Sequence, residues 1–259
     1  MKKIAIITGA NSGMGKEFAL QLEQRYDFEE YWLIARNTER LKEVSNLLHK
    51  PCQLLSLDLS KQESLDGLNQ KLKGEQPTVQ ILINGAGYGK FQRLDAMAYA
   101  DAMGMIDLND KALVAMTYMC LPYMSQGSQV VNIGSFSAFG PLPCAQLYAA
   151  SKTFVLYFSR ALNQEVKPKG IHVLCLCPMW VQTAFFNRAN TDNKINKYPH
   201  LYQADYVVKK CIKAMSTKKD YVVPGLYAKL NHLMAKLLPN KLFMKVFIKQ
   251  QNLKEELKK

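Results

Sequence analysis

Short apolar runs recur along this chain at intervals that suit strands. Residues 3–7, 30–35, 52–57, 79–83, 128–133, 171–177 and 220–223 are dominated by aliphatic and aromatic side chains, as expected of strands buried on both faces. Between them, apolar positions recur every three or four residues over 14–25, 38–49, 61–73, 97–124, 147–166 and 203–216, which predicts helices. The alternation predicts an α/β fold, a doubly wound parallel sheet covered on both faces. Ligands then gather at the carboxyl ends of the strands. Beyond residue 225 the strands stop. Leu226, Leu230, Leu233, Met234, Leu237, Leu238, Leu242, Phe243, Val246 and Phe247 form a helical stripe broken at Pro239-Asn240. The pattern predicts a single dinucleotide-binding and catalytic domain over 1–225 with a basic amphipathic extension over 226–259.

Charge adds to this picture at the C-terminus. From Val207 to Lys259 there are 13 lysines and three acids (Asp220, Glu255, Glu256), which is +10 of the chain's +13. A basic amphipathic helix can lie on an anionic membrane surface. The same pattern fits a helix packed over a pocket or a partner subunit, its lysines in solvent. No nucleic-acid recognition motif accompanies the charge, so no nucleic acid is expected. The 259 residues suffice for one sizeable core. The first apolar run is only a strand long, so no secretory signal is expected, and no apolar stretch is long enough to span a bilayer. Cys52, Cys120, Cys144, Cys175, Cys177 and Cys211 are scattered without metal-ligand spacing. No metal is expected, and reduced thiols in the cytoplasm are.

Two motifs carry chemistry. After the first apolar run comes Thr8-Gly9-Ala10-Asn11-Ser12-Gly13-Met14-Gly15, and then a helical pattern. A strand, a glycine-rich turn and a helix N-terminus form a dinucleotide framework: the backbone approaches the pyrophosphate and the helix end favours its charge. The candidate contacts are Gly9, Asn11, Ser12, Gly13, Met14 and Gly15. The second motif is Tyr148 with Lys152, which share one helix face. A free phenol ionises near pH ~10, and a neighbouring cation favours the phenolate. The pair reads as a general acid/base poised near neutral pH.

These motifs occur in order with Asp58-Leu59, Asn84-Gly85-Ala86-Gly87, Asn109 and Ile133-Gly134-Ser135. Over residues 1 to about 225 the chain resembles the short-chain dehydrogenase/reductases. The resemblance implies a Rossmann-type fold, a nicotinamide cofactor and a homo-oligomer. It implies that Tyr148 donates a proton to a carbonyl oxygen while Ser135 orients it. Lys152 would lower the tyrosine's pKa and bind the nicotinamide ribose, and Asn109 would kink its helix and hold a water linking Lys152 to solvent. Ser135 as a turn cap and Asn109 as a helix-surface amide are the plainer alternatives.

On the cofactor side the resemblance implies that Asp58 and Leu59 meet the adenine. Asn84, Ala86 and Gly87 would shape the pocket or brace the sheet; Pro178 and Thr183 fit the family's loop beside the nicotinamide, where Thr183 would bond the cofactor carboxamide or diphosphate. Where NAD enzymes of the family carry Asp, this chain has Ala35, followed by Arg36. A guanidinium without a competing carboxylate suits a 2′-phosphate, which points to NADPH/NADP+; an arginine closing a strand end at the surface is the alternative. Met179 stands where many members have glycine. Phe136, Met179, Trp180 and Phe185, with Phe139, Leu142, Pro143 and Phe186, read as pocket lining or as core. As lining they imply a small-molecule apolar carbonyl or alcohol substrate, such as a steroid or fatty-acyl derivative. The hydroxysteroid dehydrogenase and long-chain 3-oxoacyl reductase branches are the most similar. Arg188 and Lys194 are the bases available for an acyl carrier or coenzyme A. A non-catalytic NADPH sensor and a lipid-surface protein acting through its tail are the competing classes.

Overall fold

In the computed structural model, which describes residues 1–190, 195–217 and 219–258, the seven apolar runs pair into one parallel sheet. The strands are β1 (Lys3–Thr8), β2 (Glu30–Ala35), β3 (Cys52–Ser56), β4 (Thr78–Asn84), β5 (Gln129–Ile133) and β6 (His172–Leu176). A short pair follows, β7 (Val181–Gln182) with β8 (Tyr202–Gln203), and then β9 (Tyr221–Val222). The order β3-β2-β1-β4-β5-β6-β9 runs outward in both directions from β1 and β4, so the topological switch lies between those two. Thr8 sits opposite both Ile34 and Asn84 there. Its Oγ1 accepts from the backbone N–H groups of Gly85 and Ala86, each at 3.0 Å, and ties the two strand ends together.

Successive side chains of a strand face opposite ways. Ala5 and Ile7 therefore join Phe18, Ala19 and Leu22 of α1 (Gly13–Leu22) and Val207, Val208 and Cys211 of α8 (Ala204–Met215). Ile4 and Ile6 meet Leu65, Leu68 and Leu72 of α3 (Gln62–Glu75) and Leu162 and Val166 of α6 (Gln146–Val166). Each fully buried aliphatic side chain contributes about 1.5–3 kcal/mol, so both faces hold the sheet. The remaining cover is α2 (Thr38–Ser45), capped by Asn37 Oδ1 accepting from Arg40 N at 2.9 Å, and the segment from residue 99 onward.

That segment departs from expectation. The single helix predicted over 97–124 is α4 (Tyr99–Ile106), a π-helical turn (Asp107–Lys111) and α5 (Ala112–Cys120), ending in a 3-10 turn at Leu121–Tyr123 that contains Pro122. A π turn adds a residue to the helix and re-aims its side chains, which hydrophobic spacing alone does not reveal. The β7–β8 pair and the short helix α7 (Phe185–Ala189) were also absent from the reading, being too short to show a period. In the extension, α9 (Leu226–Leu237) and α10 (Asn240–Gln251) are separated at Pro239, which fixes its own φ and offers no N–H.

Candidate active site

The glycine turn is built by close approach. Gly9 adopts φ +68°, and a Cβ there would lie 2.8 Å from the Gly85 carbonyl oxygen; a Cβ on Gly15 would collide with the Gly9 carbonyl. Gly9 and Ala10 donate to Ile34 O at 2.8 and 3.3 Å, which folds the turn across the end of β2. Ser12 precedes α1 without capping it through its side chain, so the first N–H groups of the helix carry their positive end outward. Met14 and Thr183 both line the adjoining cavity, and a Cβ on Gly13 would stand 3.0 Å from the Thr183 methyl. A side-chain-free cradle at a helix N-terminus fits a dinucleotide pyrophosphate. Gly9, Asn11, Ser12, Gly13, Met14 and Gly15 would hold it.

At the end of β2, Ala35 is buried and Arg36 is exposed. Burial pushes Asp58 upward, but bonds from Ser60 N (3.1 Å) and Ser60 Oγ (2.7 Å), with the Arg36 cation nearby, leave its pKa below the ordinary carboxylate value. Asp58 is thus an anion with one oxygen already engaged. Two cofactor candidates have their side chains inside the fold. The Leu59 side chain is buried in the core with Ile34 and Leu65, so only its backbone can serve a ligand. The Asn84 Nδ2 braces the sheet, donating to Thr117 Oγ1 at 3.0 Å and Asn132 Oδ1 at 2.8 Å. Ala86 and Gly87 remain on the turn after β4.

Gly87 marks where the catalytic candidates converge. A Cβ there would lie 2.8 Å from Asn109 Oδ1 and 3.7 Å from Lys152 Nζ. Asn109, in the π turn, is buried; its Oδ1 accepts from Tyr88 N (3.0 Å) and its Nδ2 donates to Tyr88 O (2.9 Å) and Ser151 Oγ (3.2 Å). It is not a helix-surface amide. Ser135 follows β5 and caps the next turn, Oγ accepting from Ser137 N at 3.1 Å. It also lines the cavity beside Tyr148, so capping and orientation coexist in one hydroxyl.

Lys152 and Tyr148 share the face of α6 that the spacing predicts, and burial acts on both. Lys152 Nζ donates to Ile133 O at 2.8 Å and stands 5.8 Å from the Tyr148 ring centroid. Burial pushes the Tyr148 phenol up to about 12, with Ser135 pulling the other way and Cys177 adding to the rise. The Tyr148 side chain keeps some exposed surface along the cavity, but its surroundings are dense enough for desolvation to dominate. Burial also lowers Lys152, and Asp110 opposes that shift. The phenol is therefore firmly protonated at neutral pH.

A cavity of about 360 Å³ extends from the glycine turn past Ser135 and Tyr148. Phe136, Met179, Trp180 and Phe185 all line it, as do Leu142, Phe186 and Pro178. Phe139 and Pro143 do not: Phe139 packs on His232 with ring centroids 3.9 Å apart, and Pro143 faces a separate surface cleft. Phe136 N donates to Pro178 O at 2.8 Å, so the loop with Met179 in place of glycine is anchored beside the catalytic turn. Arg188 stacks over Tyr88, its guanidinium carbon 3.4 Å from the ring centroid; Lys194 lies outside the described residues. Phe91 lines the cavity without any signal in the sequence, and Met234, Leu238, Phe243 and Phe247 of the extension form its roof, which is the packing over a pocket that the amphipathic pattern allowed. The amphipathic stripe was the available signal for the roof, but it does not say what the stripe covers.

A sheet wound both ways from a switch point that carries a glycine turn is the framework of nicotinamide-dependent oxidoreductases. Known proteins narrow that class. A family model described as short chain dehydrogenase matches residues 3–194, and the chain belongs to that family of oxidoreductases. It is 29% identical over 253 residues to very-long-chain 3-oxoacyl-CoA reductase of Rattus norvegicus, covering 93% of this chain and 78% of that one. It is 31% identical over 202 residues to 17-beta-hydroxysteroid dehydrogenase type 3 of Homo sapiens, covering 74% and 63%. A short-chain dehydrogenase from Sphingobium yanoikuyae in complex with NADPH superposes with a TM-score of 0.79 at 27% identity, covering 92% of this chain and 94% of that one.

Proposed function

We propose that this protein reduces a bulky apolar ketone to its alcohol with NADPH. The observation that carries the reading is an apolar cavity whose wall joins Tyr148 and Ser135 to the glycine turn. A reduced nicotinamide bound there supplies the hydride. Tyr148, protonated throughout the neutral range, gives its proton to the carbonyl oxygen as charge builds on it. Ser135 donates a hydrogen bond to the same oxygen. Both stabilise charge that exists only as the reaction proceeds, which is what lowers a barrier. Lys152 has N–H donors beyond the one given to Ile133 O, and these would hold the ribose hydroxyls. Asn109 holds the Tyr88 backbone and keeps the loop after β4 in register with Lys152.

Three features support the finer choices. Ala35 leaves no carboxylate against a 2′-phosphate, Arg36 is exposed beside it, and the Sphingobium neighbour was solved with NADPH. The apolar lining and the names of the curated relatives favour a steroid or fatty-acyl derivative. Tyr118, Phe154 and Tyr157 are exposed on α5 and α6 and favour self-association through those helices. The six cysteines, scattered along the chain without metal-ligand spacing, favour a reducing compartment, the cytoplasm.

The test is a screen of steroid and fatty-acyl ketones at the reduced-nicotinamide absorbance, with NADPH and NADH in parallel. NADPH-dependent turnover is expected, reduced by about 10²–10⁴-fold in Tyr148→Phe with an unchanged circular dichroism spectrum. Failure of every ketone in the panel would overturn the reading and favour a nucleotide sensor.

A further inference from the structure

The cavity's roof has a second face. On α9, Ala228, His232 and Ala235 are buried, while Leu226 (74% exposed), Leu230, Leu233 and Leu237 (70%) line the opposite side. Their spacing of four, three and four residues makes one stripe. On α10, Phe247 and Gln251 are buried while Leu242 and Val246 are exposed. Lys229, Lys241, Lys245 and Lys249 are exposed beside these residues, and no acid occurs between residues 221 and 254. Met234 and Val246 belong to both surfaces: each is 52% exposed, and each lines the catalytic cavity. The cavity therefore reaches the outside within the apolar, lysine-fringed face.

We infer that α9 and α10 dock in the plane of an anionic lipid surface and open the cavity directly toward it. Charge selects this occupant. Leucines alone would suit any apolar partner, but a leucine stripe flanked only by lysines is complementary to acyl chains beneath anionic headgroups. No helix among the described residues is long and apolar enough to cross a membrane, so the two helices would lie along the surface. An apolar substrate dissolved in that lipid would then pass between Met234 and Val246 without crossing water. This last step rests on the reductase reading; docking itself does not.

Full-length protein is sedimented with phosphatidylcholine vesicles containing or lacking phosphatidylserine. Binding is expected only with phosphatidylserine and is expected to weaken as salt screens the lysines. Lys241→Gln/Lys245→Gln/Lys249→Gln should weaken it roughly hundredfold or more. Leu230→Ser/Leu233→Ser/Leu237→Ser should abolish it. Both variants should keep wild-type turnover of a short, water-soluble ketone, which reports an intact fold. Wild-type protein that stays in the supernatant, or variants that sediment as well as wild type, overturns the proposal. So does a dimer in vesicle-free buffer that the leucine variant converts to monomer, since the stripe is then covered by a second copy. Sedimentation without turnover of any ketone would sink the reductase reading and leave the docking intact.

Discussion

Tyr148 and Lys152 share a face of α6, yet burial governs each of them more than either governs the other. With the phenol raised to about 12, its protonated form dominates below that pH. Ketone reduction should therefore be flat across neutral pH. Alcohol oxidation, which needs the phenolate, should rise about tenfold per pH unit. Initial rates in both directions at saturating cofactor check this; an oxidation rate that levels off near pH 7 would restore a lysine-activated tyrosine. Asp110, next to Asn109, has a buried Oδ1 without a hydrogen-bond partner, and burial raises its carboxyl to about 6 despite Lys152. The folded state thus holds the proton more tightly than the unfolded chain, and stability falls as pH rises from about 4 through 6. Asp110→Asn removes that penalty. Its melting temperature should exceed the wild type's at pH 7.5, and the difference should close as pH falls toward 4.

At the scale of elements, the site is a chain of braces. The π turn Asp107–Lys111 turns Asn109 inward, Asn109 grips the Tyr88 backbone, and Arg188 of α7 stacks on the Tyr88 ring. Phe91 N donates to Ala189 O at 2.7 Å and closes the same loop onto α7. Helix, loop and cavity wall should therefore move together. Arg188→Ala removes a cation–π contact and should speed hydrogen exchange at the Phe91 amide by about two- to fivefold. It should raise KM for bulky ketones more than it lowers kcat. Unchanged exchange would show that the backbone bond holds the loop by itself. Little of this was readable beforehand. The strand runs and most helices declare themselves through local periodicity, whereas a π turn, a five-residue helix and a stacked arginine have no period to declare.

The whole molecule places its cavity between two separately coded parts. The sheet and α6 supply the floor with Ser135, Tyr148 and the glycine turn, and the extension supplies the roof. Phe247 is buried within that roof. Phe247→Ala should destabilise the protein by about 3 kcal/mol, read as a lower melting temperature. It should also raise KM for bulky ketones while sparing short ones. A loss that fell equally on all ketones would mean that the roof stabilises the fold without shaping the pocket.

The amino-acid order by itself determined the alternating layers, the glycine turn at a helix start and the shared face of Tyr148 and Lys152. Each of these follows from residues a few positions apart, where backbone geometry makes spacing sufficient. Only tertiary structure decided that Asn84 braces the sheet, that Leu59 is core, that Phe139 turns away from the cavity and that α9 and α10 cover it. It also decided that Tyr148 is held protonated, because desolvation depends on every side chain packed around a group, and those neighbours come from all parts of the chain.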